Sequence, residues 1–106
     1  MTVVGKIEIP QDEIADFCRR WKVTELALFG SVLREDFEPQ SDVDVLVTFA
    51  PNPGWSIFDH LHMEEELKAV FRRNVDLVSR QAIEESHNPI RRKVILESAK
   101  VIYVSA

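Results

Sequence analysis

Two aspartates interrupt a segment that otherwise reads as a buried strand. Between Ser41 and Phe49, Val43, Val45, Val47 and Phe49 form an unbroken apolar stripe, while Asp42 and Asp44 alternate with it. Side chains alternate along a strand, so Asp42 and Asp44 project the same way, about 7 Å apart at Cα. Aspartate is disfavoured in strands, and here it occurs twice on one face. The segment Val75 to Val78 repeats the pattern with Asp76. If the two strands lie side by side with their apolar faces together, three carboxylates gather on the opposite face. Two such charges about 5 Å apart repel by roughly 3 kcal/mol at an effective dielectric near 20. Such a set is tolerated in open water, when protonated, or around divalent cations. All-oxygen ligation suits Mg²⁺ or Mn²⁺, with phosphate oxygens and water completing the shell.

A second constellation lies just upstream. Gly30-Ser31 follows an apolar stretch and precedes a short helical pattern, Val32 to Asp36. Glycine permits close backbone approach, and Ser31 at a helix start would offer amide hydrogens to an anion. Arg34 would fall in the first turn, where the helix dipole disfavours a cation. A bound phosphate, or a surface pair with Glu35, Asp36 or Glu38, would offset that. Gly30, Ser31 and Arg34 are therefore candidate phosphate-binding residues.

The elements that must hold these groups can be placed. Pro10 opens a helix with Ile14, Phe17, Cys18 and Trp21 on one face, and Ile7 to Ile9 before it reads as a short strand or arm. Thr24 to Phe29 reads as a central strand buried on both sides. Phe37 to Ser41 reads as loop, and Pro51 to Gly54 as a strong turn. Ser56 caps a helix to about Arg72 with Ile57, Leu61, Leu67, Val70 and Phe71 as apolar positions. Gln81 to Ser86 reads as one helical turn. Asn88-Pro89 starts a last helix to about Ser98, and Val101 to Val104 is a closing strand. Helices and strands alternate, so the fold class is α/β (α+β) around a small sheet, with the carboxylates on the face away from the helices.

Composition bounds the rest. The 106 residues, 45% hydrophobic, suit one domain spanning 1–106 with one ordinary core. Eighteen acidic against 13 basic residues give a net charge of −5. That argues against a protein that grips nucleic-acid backbone, though not against one bound nucleotide. The single cysteine, Cys18, excludes a disulfide framework and a Cys-based zinc site. No apolar run approaches 20 residues, and the first ten residues lack a signal-peptide pattern, so a cytoplasmic protein without a membrane segment is expected.

Taken in order, Gly30-Ser31, Arg34, Asp42-Val43-Asp44 and then Asp76 resemble the nucleotidyltransferase superfamily of the DNA polymerase β type. The short chain is similar to its minimal nucleotidyltransferases, the MNT proteins commonly encoded beside a HEPN-domain toxin. The resemblance spans Leu26 to the closing strand, and Glu35 stands where many members carry Gly. It implies a small mixed sheet with helices on one face and an open acidic site on the other, and transfer of AMP from ATP to a hydroxyl, a tyrosine of the HEPN partner, by an antitoxin. It implies that Asp42 and Asp44 hold two Mg²⁺ or Mn²⁺ ions. Asp76 would ligate the one nearest the nucleophile, and the Gly30-Ser31 turn would hold the outgoing pyrophosphate. Two metals clamping the attacking and leaving oxygens of an in-line displacement fit that chemistry. Further contacts would come from the partner or a second copy. A rival reading is an antitoxin that neutralises its partner by binding alone. Asp-x-Asp also serves sugar nucleotides in glycosyltransferases, whose domains are usually much longer.

Other polar features read as structural. His60 and His62 face nearly opposite ways on a helix and are no metal pair. His87 reads as a loop residue, and Cys18 as core. Glu64-Glu65-Glu66 and Arg91-Arg92-Lys93 read as solvated charge. Trp55 reads as a core anchor, with a partner or nucleobase surface as its alternative.

Overall fold

A computed structural model describes residues 2–4, 7–33, 41–52 and 54–105. Two short strands, β1 (Thr2–Val4) and β2 (Ile7–Ile9), pair antiparallel as a separate hairpin. Ile7 and Ile9 are buried in the main core, so the N-terminal segment is a docked strand pair. Helix α1 (Gln11–Arg20) follows Pro10 and carries Asp12 and Glu13 in its first turn and Arg19 and Arg20 in its last, as the dipole favours. Its buried seam is Ile14, Phe17 and Cys18, and Trp21 ends the helix half-buried.

Strands β3 (Val23–Phe29), β4 (Val43–Phe49), β5 (Val75–Ser79) and β6 (Lys100–Val104) form one sheet in the order β5-β4-β3-β6. β3 is antiparallel to β4 and β6, whereas β4 and β5 are parallel. A parallel pair needs a crossover, and helix α2 (Ile57–Phe71) supplies it. Ser56 starts α2 with a full capping box: its hydroxyl accepts from the Asp59 N–H, and the Asp59 carboxylate accepts from the Ser56 N–H at 2.8 Å. Short α3 (Arg80–Glu84) and α4 (Pro89–Ser98) begin at Ser79 and Asn88, each side chain accepting from the backbone N–H three residues on.

The sheet is covered on both faces. On one, Leu26, Leu28, Val43, Val45, Val47 and Leu77 pack under α1 and α2. On the other, Ala27, Phe29 and Leu46 pack under Ile83 of α3 and Ile95 of α4. Helices on one face thus describes α1 and α2, while α3 and α4 cover part of the acidic side. β3 contributes to both layers, as expected of a central strand buried on both sides.

Helix α2 corrects one expectation. Its buried seam is Met63, Leu67 and Phe71, while Ile57 is 68% and Leu61 50% exposed. Apolar residues wrap more than half of this helix, so periodicity alone offers two seams. The one chosen is the one that packs against β5 in the main core.

Candidate functional site

The site begins where β3 ends and β4 starts. In the antiparallel register Phe29 faces Asp44, and in the parallel register Asp44 faces Asp76. Partners in register on neighbouring strands point to the same face, with backbones about 4.8 Å apart. Asp44 is two residues from Leu46, and Asp76 two from Val78, both of which pack in the α3/α4 layer. Asp44 and Asp76 therefore stand side by side on that face. Asp42 directly precedes β4 and is exposed, as is Asp76, whereas Asp44 is half-buried. The Val43 N–H donates to the Asn74 carbonyl at 2.9 Å, which ties the entries of β4 and β5 together beneath these carboxylates.

Gly30 is the second part. It has φ 73°, and a methyl group built on it would overlap Oδ2 of Asp44. The Asp44 carboxylate lies where a side chain at position 30 would be. Glycine is thus required twice here, for its left-handed backbone and for the space it leaves. Sequence reasoning assigned Gly30 to phosphate approach and missed this seat, which depends on a cross-strand neighbour.

The helical turn expected over Val32 to Asp36 starts at Gly30 and is a 3-10 turn, Gly30–Leu33. Val32, fully buried, plugs that turn into the main core. Arg34 and Glu35, with the rest of the segment to residue 40, lie outside the described residues.

Three carboxylates at a water-exposed strand end fit a hard divalent cation by donor chemistry, and Asp44 and Asp76, in register, are residues that would hold one. Among the described residues, no three His, Cys, Asp or Glu side chains converge closely enough to hold an ion together as placed.

The features set aside resolve individually. The Trp55 indole donates to the Trp21 carbonyl at 2.9 Å, and the two rings pack edge-to-face at 5.2 Å, so Trp55 anchors core. Burial pushes the Cys18 thiol up to about 12, which keeps it inert. His62 and His87 are exposed, and His60 lines a cleft of about 400 Å³ with Thr48, Trp55 and Arg80. That cleft lies at the C-terminal ends of β4 and β5, away from the aspartates. Arg92 is more than solvated charge: it donates to the Glu84 and Ser86 carbonyls at 3.4 and 3.2 Å, closing the α3–α4 corner. The run 64–66 is likewise structural. Glu64 accepts from the Leu77 N–H, Glu65 pairs with Lys68, and Glu66 pairs with Arg20 at 2.9 Å. The Arg20 guanidinium holds the Glu66 carboxyl below the usual carboxylate range.

Among the described residues, no helix is long and apolar enough to cross a membrane. The family model "Nucleotidyltransferase domain" matches residues 12–102. The protein adenylyltransferase MntA of Thermococcus cleftensis is 35% identical over 85 residues, 80% of this chain and 78% of that one. Solved structures share the fold. A toxin-antitoxin crystal structure with AMP-PNP superposes at TM-score 0.68 with 19% identity, covering 91% of this chain and 74% of that one. The tri-AMPylated Shewanella oneidensis HEPN toxin in complex with MNT antitoxin gives TM-score 0.60 with 20% identity, covering 90% and 70%. The element order, the aspartates in register beside Gly30 and these matches agree: the chain belongs to the nucleotidyltransferase domain family, in its minimal MNT branch.

Proposed function

We propose that this chain moves AMP from ATP to a tyrosine hydroxyl of a HEPN-type toxin and so acts as its antitoxin. The observation that carries the reading is the Asp44–Asp76 register on one sheet face, with Gly30 seated against Asp44. In the reaction the acceptor oxygen attacks the α-phosphorus and its bond forms in line as the bond to the β-phosphate breaks. Pyrophosphate leaves, and the hydroxyl proton is lost to a base. Asp76, exposed at the strand end, would help take that proton. Asp42 and Asp44 would hold Mg²⁺ (or Mn²⁺), which supplies charge neutralisation on the phosphates. The Gly30-Ser31 turn, with Arg34, would bind the leaving phosphates through backbone amides and the guanidinium.

A second reading, neutralisation by binding alone, draws support from the absence of a converged three-carboxylate cluster among the described residues. One experiment separates the two. Mix the chain with its HEPN partner, Mg²⁺ and α-labelled ATP, with Asp44→Asn alongside. Transfer of label to the partner, reduced at least about 10²-fold in Asp44→Asn and abolished by chelation, supports catalysis. No label from the native chain, with a stable complex and protection of cells retained by Asp44→Asn, moves the function to inhibition by contact.

A further inference from the structure

β5 is an outer strand, so it has a neighbouring strand on one side only. On its free side Oε2 of Glu64 accepts from the Leu77 N–H at 3.1 Å. That N–H belongs to the peptide joining Asp76 to Leu77. The Leu77 side chain is buried against α2, and Glu64 lies between the seam residues Met63 and Leu67. The bond therefore runs between two elements whose relative position the core already sets. Glu65 and Glu66, next to it, pair with cations and reach no strand.

We propose that Glu64 is a positioning residue for Asp76. Its carboxylate completes the hydrogen bonding of the Asp76–Leu77 peptide on the open edge of β5 and holds Asp76 in register with Asp44. A charged acceptor makes a stronger bond than a neutral one, and an edge N–H left to water lets the strand end fray. The direction of the Asp76 side chain follows from the dihedral angles on either side of that peptide. A displacement of about 1 Å at such a group is enough to slow chemistry. The catalytic readout of this inference rests on the nucleotidyl-transfer reading above; its structural readout does not.

The test uses the full chain with its HEPN partner and three variants: Glu64→Ala, Glu64→Gln and the neighbouring control Glu65→Gln. In Glu64→Ala, amide exchange at Leu77 should rise at least about tenfold, as for an edge amide that has lost its partner. The kcat for label transfer should fall about tenfold, with the KM for ATP changed less than about twofold. Glu64→Gln, whose side-chain oxygen can still accept, should recover most of both, and Glu65→Gln should change neither. Two results overturn the proposal: faster exchange at Leu77 with kcat unchanged, which leaves Glu64 as a guard of the strand edge, or equal losses in the Ala and Gln variants, which makes the effect one of charge. If the native chain transfers nothing, the nucleotidyl-transfer reading has failed on its own. Mn²⁺-induced broadening of the Asp44 and Asp76 amide resonances then decides: weaker at Asp76 in Glu64→Ala supports positioning, and equal broadening in both proteins overturns it.

Discussion

The two ends of the β4–β5 pair are built to opposite purposes. At the N-terminal end stand Asp42, Asp44 and Asp76, with Gly30 against Asp44. At the C-terminal end lies a mixed cleft lined by Thr48, Trp55, Ser56, His60 and Arg80. Parallel sheets usually present ligands at the carboxyl ends of their strands, where helix N-termini face the ligand. Here the acidic end is the amino end of both parallel strands. The rule is kept by a third strand: β3 runs the other way, so its carboxyl end, Phe29 and Gly30, meets the start of β4. In the proposed site, the turn after β3 would offer its backbone amides to a phosphate. Helix α2 ends at Phe71, just before β5, so the amino end of β5 follows a helix C-terminus, whose dipole favours a cation. One antiparallel strand in the middle of the sheet brings the turn and the carboxylates to one edge.

A glycine at each end makes the contrast testable. Gly30 and Gly54 have nearly the same left-handed backbone, φ 73° and 76°. Gly30 abuts Asp44, while Gly54 has open space around it. Gly30→Ala should lower label transfer by about 10²-fold, because the new methyl group must displace the Asp44 carboxylate. Gly54→Ala should leave transfer within about twofold and cost roughly 1–2 kcal/mol of stability from backbone strain alone. Equal activity losses in the two variants would show that strain, and not the Asp44 seat, is what position 30 controls.

A smaller effect is expected from the cap at the cleft end. Ser56→Ala removes the capping box of α2 and should cost about 1 kcal/mol in a denaturation midpoint. Transfer per folded molecule should stay unchanged, since the aspartates lie at the other end of the crossover. A parallel loss of kcat would mean that the two ends are coupled through α2.

The smallest effect is a pH dependence. Glu66 titrates below its ordinary range because Arg20 bonds it. A carboxyl depressed on folding adds stability above its unfolded pKa and loses it as pH falls through the folded value. Relative to Arg20→Met, the native chain should therefore be more stable at neutral pH, and the difference should fade below the usual carboxylate range. Both side chains are partly solvated, so the difference is small and shrinks in salt. A gap that persisted in acid would mean that Arg20 contributes through packing along its stem.

Much of the fold was legible along the chain. Caps are local: Ser56 and Asn88-Pro89 act through neighbours a few residues away, and they mark helix starts where the structure has them. Strand alternation is local too, so the conflict of Asp42, Asp44 and Asp76 with their apolar stripes was visible in the residues themselves. What the pattern left open was geometry between elements. Of the apolar positions on α2, packing against β5 buries Leu67 and Phe71 together with Met63, while Ile57 and Leu61 stay exposed. The run 64–66 carried no local sign that one carboxylate would reach a strand and another an arginine of α1.

The order of side chains along each strand, and so the chemistry available to this protein, was determined by its sequence alone, because period-2 alternation is a property of one strand. Which carboxylate stands beside which was decided only in the tertiary structure. The parallel register of β4 with β5 sets Asp44 against Asp76, and the antiparallel register with β3 brings Gly30 under Asp44. Register depends on hydrogen bonds and packing between segments far apart in the chain, and no single segment carries that information.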